Sequence, residues 1–167
     1  MEQGRVFKRK IYGRMLRWKS EKDGKTADVN FPDVPSDAYY EEALAWAVAN
    51  DVSQGTGDGL FSPDRQTTRE SFLTMLYRTA CIIDPKAKKA GEAALAEAHK
   101  SGSSAKFADV PEGSYAEEAI YWAQAAGICK GVGGKEIDGE WVANSFGYGV
   151  LIDRAQTVTL LNRYFGK

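Results

Sequence analysis

The sequence predicts a mainly α-helical protein: tandem helix–loop–helix repeats behind a basic N-terminal helix or arm. Three observations predict it. The chain repeats itself, each copy carries apolar stripes at helical period, and glycine-bearing loops separate those stripes. The stretch Phe31-Pro32-Asp33-Val34-Pro35 returns as Phe107-Ala108-Asp109-Val110-Pro111, 76 residues later. The same offset carries Tyr39 onto Tyr115, Glu41-Glu42-Ala43 onto Glu117-Glu118-Ala119, Trp46-Ala47 onto Trp122-Ala123 and Gly55 onto Gly131. Beyond that point the offset is 85, placing Phe61 on Phe146, Arg69 on Arg154, Leu76 on Leu161 and Arg78 on Arg163. The second copy therefore carries nine extra residues between Gly131 and Phe146. Short repeats rarely bury their own apolar faces, so the copies are expected to stack and share a core.

The chain divides into a basic segment at 1–30, a first repeat at 31–83, a linker with helical potential at 84–106, and a second repeat at 107–167 with an insertion at about 132–145. Residues 1–25 hold nine Lys/Arg against three Asp/Glu, a net +6, and the remainder is net −7. Such an arm can meet nucleic acid or an anionic surface, or fold back on its own acidic repeats, which is the simpler expectation. Val6 to Lys19 has the pattern of a basic amphipathic helix.

In the first helix of copy one, Tyr40, Ala43, Leu44, Ala47 and Val48 fall on one stripe, and copy two answers with Ala116, Ala119, Ile120 and Ala123. Ser114-Tyr115-Ala116-Glu117 fits a capping box at the start of the latter. Gly127, and Asp51 in copy one, stand where a left-handed residue closes a helix. The second helices show Leu73, Leu76, Tyr77 and Ala80 on one face, matched by Val158, Leu161, Asn162 and Phe165. Thr68 and Asp153 are their expected N-caps. Between the copies, Lys88 to His99 reads as an Ala/Lys/Glu helix with His99 solvated, and Ser101-Gly102-Ser103-Ser104 as a link. The insertion lies in a Gly-rich stretch from Gly131 to Gly149 and is expected to be a loop over a groove or an end of the stack.

Both copies keep an arginine, Arg69 and Arg154, at the first position of a helix, where a cation is mildly unfavourable. Two readings stay open on physics alone. One is a local ion pair with Asp33 or Asp109; the other is an anion site made by guanidinium and helix N-terminus together. Trp46 and Trp122 sit near the edge of their stripes, as core-edge residues or as platforms for a flat ligand such as a sugar.

Other classes of function find little support. The single histidine, His99, has no nucleophile or acid partner in sequence, so no catalytic residue is expected. Cys81 and Cys129 lie among apolar residues and form neither a CxxC pair nor a disulfide framework. No His/Cys cluster has metal-ligand spacing, and Asp58, Asp64 and Asp138 lack the order of a calcium loop, so no metal or cofactor is expected. No apolar run approaches the roughly 20 residues of a membrane span. The N-terminus lacks the apolar region and cleavage site of a secretory leader, which leaves a cytoplasmic location as one expectation.

The Phe-x-Asp-Val phrases at 31–34 and 107–110, the Tyr…Ala…Trp-Ala helix, the glycine after the turn, Phe61-Ser62-Pro63 with Thr68-Arg69-Glu70, and Gly127-Ile128 with Asp153-Arg154-Ala155-Gln156 resemble the S-layer homology domain. The resemblance covers about residues 31–167. It implies helical units, usually three, that anchor bacterial surface proteins to a secondary cell-wall polysaccharide bearing pyruvate ketals. It further implies a ligand-lining role for Asp33, Trp46, Gly55 and Arg69, then Asp109, Trp122, Gly131 and Arg154. With two copies rather than three, self-association is one way to complete the arrangement. A cell-surface location, no catalysis and no nucleic-acid ligand follow from the same resemblance. The alternative is an intracellular module, from a truncated or fused gene product, that binds protein or nucleic acid. The family's Thr-Arg-Ala-Glu phrase is altered in both copies, and Asp153 adds negative charge beside Arg154, so copy one is expected to be the better groove. Residues 5–27 also resemble the opening of bacterial P-loop ATPases, but Lys19 stands where a phosphate loop ending in Gly24-Lys25-Thr26 needs glycine.

Overall fold

The computed structural model describes residues 31–100, 103, 105–137 and 140–166. The basic arm, its expected helix and the ATPase-like phrase lie outside the described residues. Among the described residues five helices and one hairpin follow in order: α1 Glu41–Ala49, α2 Arg69–Ile83, α3 Lys86–Ala98, α4 Glu117–Ala125, β1 Val132–Ile137, β2 Glu140–Ser145 and α5 Arg154–Phe165. The protein is mainly α, as its periodicity predicts. The described residues fall into two compact units, unit 1 ending at Arg65 and unit 2 beginning at Gln66.

Unit 1 holds α1 and the loop that follows it. Leu44 and Val52 are its buried apolar residues, and Phe31 and Tyr40 close on Phe61 at ring separations of 5.8 and 6.1 Å. The expected stripe is only partly realised. Leu44 is buried, whereas Ala43 is exposed and Tyr40 is the residue that precedes the helix. Asp51 ends the helix at φ 56°, as expected of a left-handed terminator.

Unit 2 packs α2 and α3 against α4, with the hairpin and α5 completing it. Every apolar residue expected on α2 is buried: Leu73, Leu76, Tyr77 and Ala80. Ala116, Ala119, Ile120 and Ala123 meet them from the α4 side, and all are buried too. Each large apolar side chain so buried stabilises the fold by about 1.5–3 kcal/mol relative to exposure. The packing unit therefore joins the second helix of one repeat to the first helix of the next. Thr68 accepts the Ser71 N–H at 3.4 Å and Asp153 that of Gln156 at 2.7 Å, so both second helices carry their expected caps. Gly127 has φ 67° and closes α4.

Four local expectations are corrected. Ser114 does not cap α4: the helix begins two residues later than a box would place it, with Ala116 before it, and Glu117 instead accepts the Gly113 N–H at 2.8 Å. His99 is not merely solvated, since its Nε2 lies 2.7 Å from the Glu117 carboxylate and ties the end of α3 to α4. The insertion is not a loop but an antiparallel hairpin, with Val132 opposite Ser145 and Ile137 opposite Glu140. Finally, α5 buries Leu160 and turns Tyr164 onto Trp122 at 5.7 Å, leaving Val158 61% exposed and Asn162 exposed. Among the described residues of unit 2, no helix covers Val158 and Asn162, and Leu160 and Tyr164 turn inward instead.

Candidate functional site

Each repeat uses its aspartate in the same way. Asp33 accepts the Phe61 N–H at 3.0 Å on one oxygen and the Ser62 N–H at 2.6 Å on the other. Asp109 accepts Phe146 N–H at 2.7 Å and Gly147 N–H at 2.7 Å, then adds Tyr148 N–H at 2.9 Å and the Ser145 hydroxyl at 2.8 Å. The repeat offset predicts this equivalence, because 61–62 corresponds to 146–147. Ser62 and Gly147 both have positive φ, 57° and 85°, which turns successive N–H groups toward one carboxylate. The Phe61 N–H bond holds Asp33 below the usual carboxylate range. Burial pushes Asp109 upward, but its backbone and Ser145 hydrogen bonds outweigh that and hold it low. Neither aspartate forms an ion pair with an arginine among the described residues. Within unit 2, the ion-pair reading of Arg69 with Asp109 is thereby set aside.

The turn that Asp109 secures wraps the start of α2. Arg69 N–H donates to Val150 O at 2.8 Å, Ile152 N–H donates to Thr67 O at 3.1 Å, and Thr68 bridges Leu151. The buried carboxylate of Glu70 accepts the Gly149 N–H at 3.1 Å. Within this frame Arg69 is 9% exposed, with its guanidinium carbon 5.1 Å from the centre of the Phe146 ring. Its Nη2 donates to Cys129 Sγ at 3.0 Å. Its Nε is buried and has no hydrogen-bond partner. Burial pushes the Cys129 thiol pKa up, with Arg69 opposing, so a neutral thiol faces the cation.

The sequence-derived candidates thus separate. Arg69 and Asp109 are brought to the two sides of one element: Asp109 holds the Phe146 backbone, and Arg69 lies over the Phe146 ring. Gly131 follows Cys129 by two residues and has φ 24°. Trp122 is 4% exposed, held between a tilted Tyr77 ring at 5.1 Å and an edge-on Tyr164 ring at 5.7 Å, and so packs the core. Arg154 is exposed at the start of α5, next to its cap Asp153. In unit 1, Asp33 secures the Phe61 turn and Trp46 is half-buried. Gly55 has φ 78°, and a Cβ there would lie 2.3 Å from Leu60 O, so it serves the turn's shape. The sequence reading did not single out Phe146, Cys129 or Glu70 as site residues. The alignment of Phe146 with Phe61 was the one available pointer to the first.

Among the described residues no group of three or more His, Cys, Asp or Glu is arranged to hold a metal ion, and no helix is long and apolar enough to cross a membrane. The family model of the S-layer homology domain matches residues 30–73 and 106–139. The chain carries two S-layer homology repeats. A cell surface protein of Thermoanaerobacter kivui is 35% identical over 115 residues, 69% of this chain and 14% of that protein. A surface-layer 125 kDa protein of Lysinibacillus sphaericus is 33% identical over 92 residues, 47% of this chain and 8% of that protein. The chain thus spans a small part of the curated relatives it matches. No solved structure matches it.

Proposed function

We propose that these S-layer homology repeats form a non-catalytic module that anchors to cell-wall polysaccharide at the bacterial surface. The ligand we assign is an anionic secondary polymer bearing pyruvate ketals, and Arg69 is the group that reads its carboxylate. The observation that carries this is the state of Arg69. A guanidinium buried at a helix N-terminus, with Nε unspent and no carboxylate partner among the described residues, is an uncompensated positive site. A carboxylate compensates both the cation and the helix dipole through charge-assisted hydrogen bonds.

The other residues take supporting roles. Asp109 fixes the turn that carries Phe146 beneath the guanidinium, Gly131 and Gly55 allow their turns, and Trp122 stiffens the α2–α4 contact. Asp33 and Trp46 play the equivalent parts in unit 1, and Arg154, exposed beside Asp153, is the weaker anion reader. The test is co-sedimentation of the protein with purified wall polymer before and after acid removal of the ketals. Retention on the untreated polymer and release from the stripped one is the expected result. Equal retention on both removes the carboxylate from the account.

A further inference from the structure

Inside unit 2, the face of α2 that carries Arg69, Leu73, Leu76, Tyr77 and Ala80 is buried along its length. Part of what covers it is α4 and the residues leading into it. Trp122 packs on Tyr77 with ring centres 5.1 Å apart, the Tyr77 hydroxyl donates to Glu118 at 2.7 Å, and the Tyr115 hydroxyl meets Ser71 Oγ at 2.9 Å. This is a contact between the second helix of one repeat and the first helix of the following repeat.

The offset of 85 carries that face onto α5, where it is open. Arg154 and Asn162 are exposed, Val158 is 61% exposed where Leu73 is 0%, and Leu161 and Phe165 are half-buried. Val150 and Leu151, just before the helix, extend the apolar patch at 53% and 49% exposure. The offset of 76 carries the covering side onto α1 and its lead-in, which is open at Tyr39 and Ala43. Tyr39 is 99% exposed where Tyr115 is 59%, and Ala43 is exposed where Ala119 is 2%.

We propose that the open face of α5 in one copy receives the α1 side of a second copy, in the register that α2 and α4 use inside unit 2. That register sets Val158 where Leu73 packs and sets Tyr39 of the second copy at the start of α5, as Tyr115 meets Ser71 at the start of α2. The two halves lie on different elements, so the contact is heterologous and runs head to tail, giving short chains or a closed ring. The partner is recognised by the same pairing the chain already makes within itself. The inference stands apart from the polymer reading, because association is measured with no polymer present.

Sedimentation equilibrium of the full chain, from about 1 to 300 µM to span transient affinities, is the test. The mass is expected to rise with concentration above the 18.3 kDa of one chain. Val158→Asp and Ala43→Asp each alter one exposed half, and each alone is expected to remain at single-chain mass. Their equimolar mixture retains one intact α5 face and one intact α1 side, so it is expected to form a 1:1 pair that does not grow. Near-UV circular dichroism of the buried Trp122 environment checks that both variants are folded. A wild-type protein that stays at single-chain mass throughout overturns the proposal. So does association that either substitution leaves unchanged, or a mixture that stays at single-chain mass.

Discussion

The carboxylate of Asp109 accepts the backbone N–H of Phe146 at 2.7 Å, across 37 residues of sequence. Asp33 makes the equivalent bond to Phe61 at 3.0 Å across 28 residues. A hairpin separates the bonded residues in the second repeat and not in the first, yet the bond is kept. The aspartate thus acts as the clasp of each repeat, tying the entry segment to the turn before the second helix. In unit 2 that turn also carries the ring beneath Arg69, so the clasp links the fold to the candidate site.

Asp109→Ala leaves the N–H groups of Phe146, Gly147 and Tyr148 without their acceptor in a part-buried turn. The expected cost is about 1–3 kcal/mol of unfolding free energy, read from urea denaturation. An unchanged midpoint would mean that water replaces the carboxylate without loss.

The same aspartates set an acid limit. Both are held below their ordinary values in the fold, so their contribution is present above the unfolded value of about 3.9. It is lost as pH falls through the depressed folded values. Thermal midpoints are therefore expected to fall on acidification below about pH 4, and less steeply in Asp109→Asn, which no longer titrates there. Equal slopes for wild type and variant would contradict the assignment.

Much of this fold is legible locally. The caps Thr68 and Asp153, the terminators Asp51 and Gly127, and the face Leu73, Leu76, Tyr77 and Ala80 depend on neighbours within a turn or two. What sequence reasoning missed depends on distant partners. Trp46 and Trp122 occupy one repeat position, and Trp122 becomes a core residue because the distant Tyr77 and Tyr164 pack around it. Val158 matches Leu73 in pattern and is 61% exposed where Leu73 is fully buried. The hairpin escaped because Val132-Gly133-Gly134 gives a weak alternation, and its glycines read as loop. Of the site, Arg69 and Asp109 were visible as repeated residues, while Cys129 and Phe146 gain meaning only from the folded contact with the guanidinium.

Gly91 offers a packing test away from the site. A Cβ there would lie 2.2 Å from the Tyr77 hydroxyl, and Tyr77 is pinned by Glu118 at 2.7 Å and by the Trp122 ring. Replacing glycine by alanine in a helix gains up to about 1 kcal/mol in propensity. Overpacking against a fixed side chain costs about 1–3 kcal/mol, so Gly91→Ala is expected to destabilise on balance. A raised thermal midpoint would show that Tyr77 yields easily.

The central claim is that Arg69, rather than its counterpart Arg154, reads a carboxylate on the wall polymer. The most direct measurement is calorimetric titration of pyruvylated polymer into wild type, Arg69→Ala and Arg154→Ala. Saturable binding by wild type and Arg154→Ala is expected, with affinity reduced at least roughly tenfold in Arg69→Ala, the loss of one charge-assisted contact. Undiminished binding by Arg69→Ala, or an equal loss in both variants, would contradict the account.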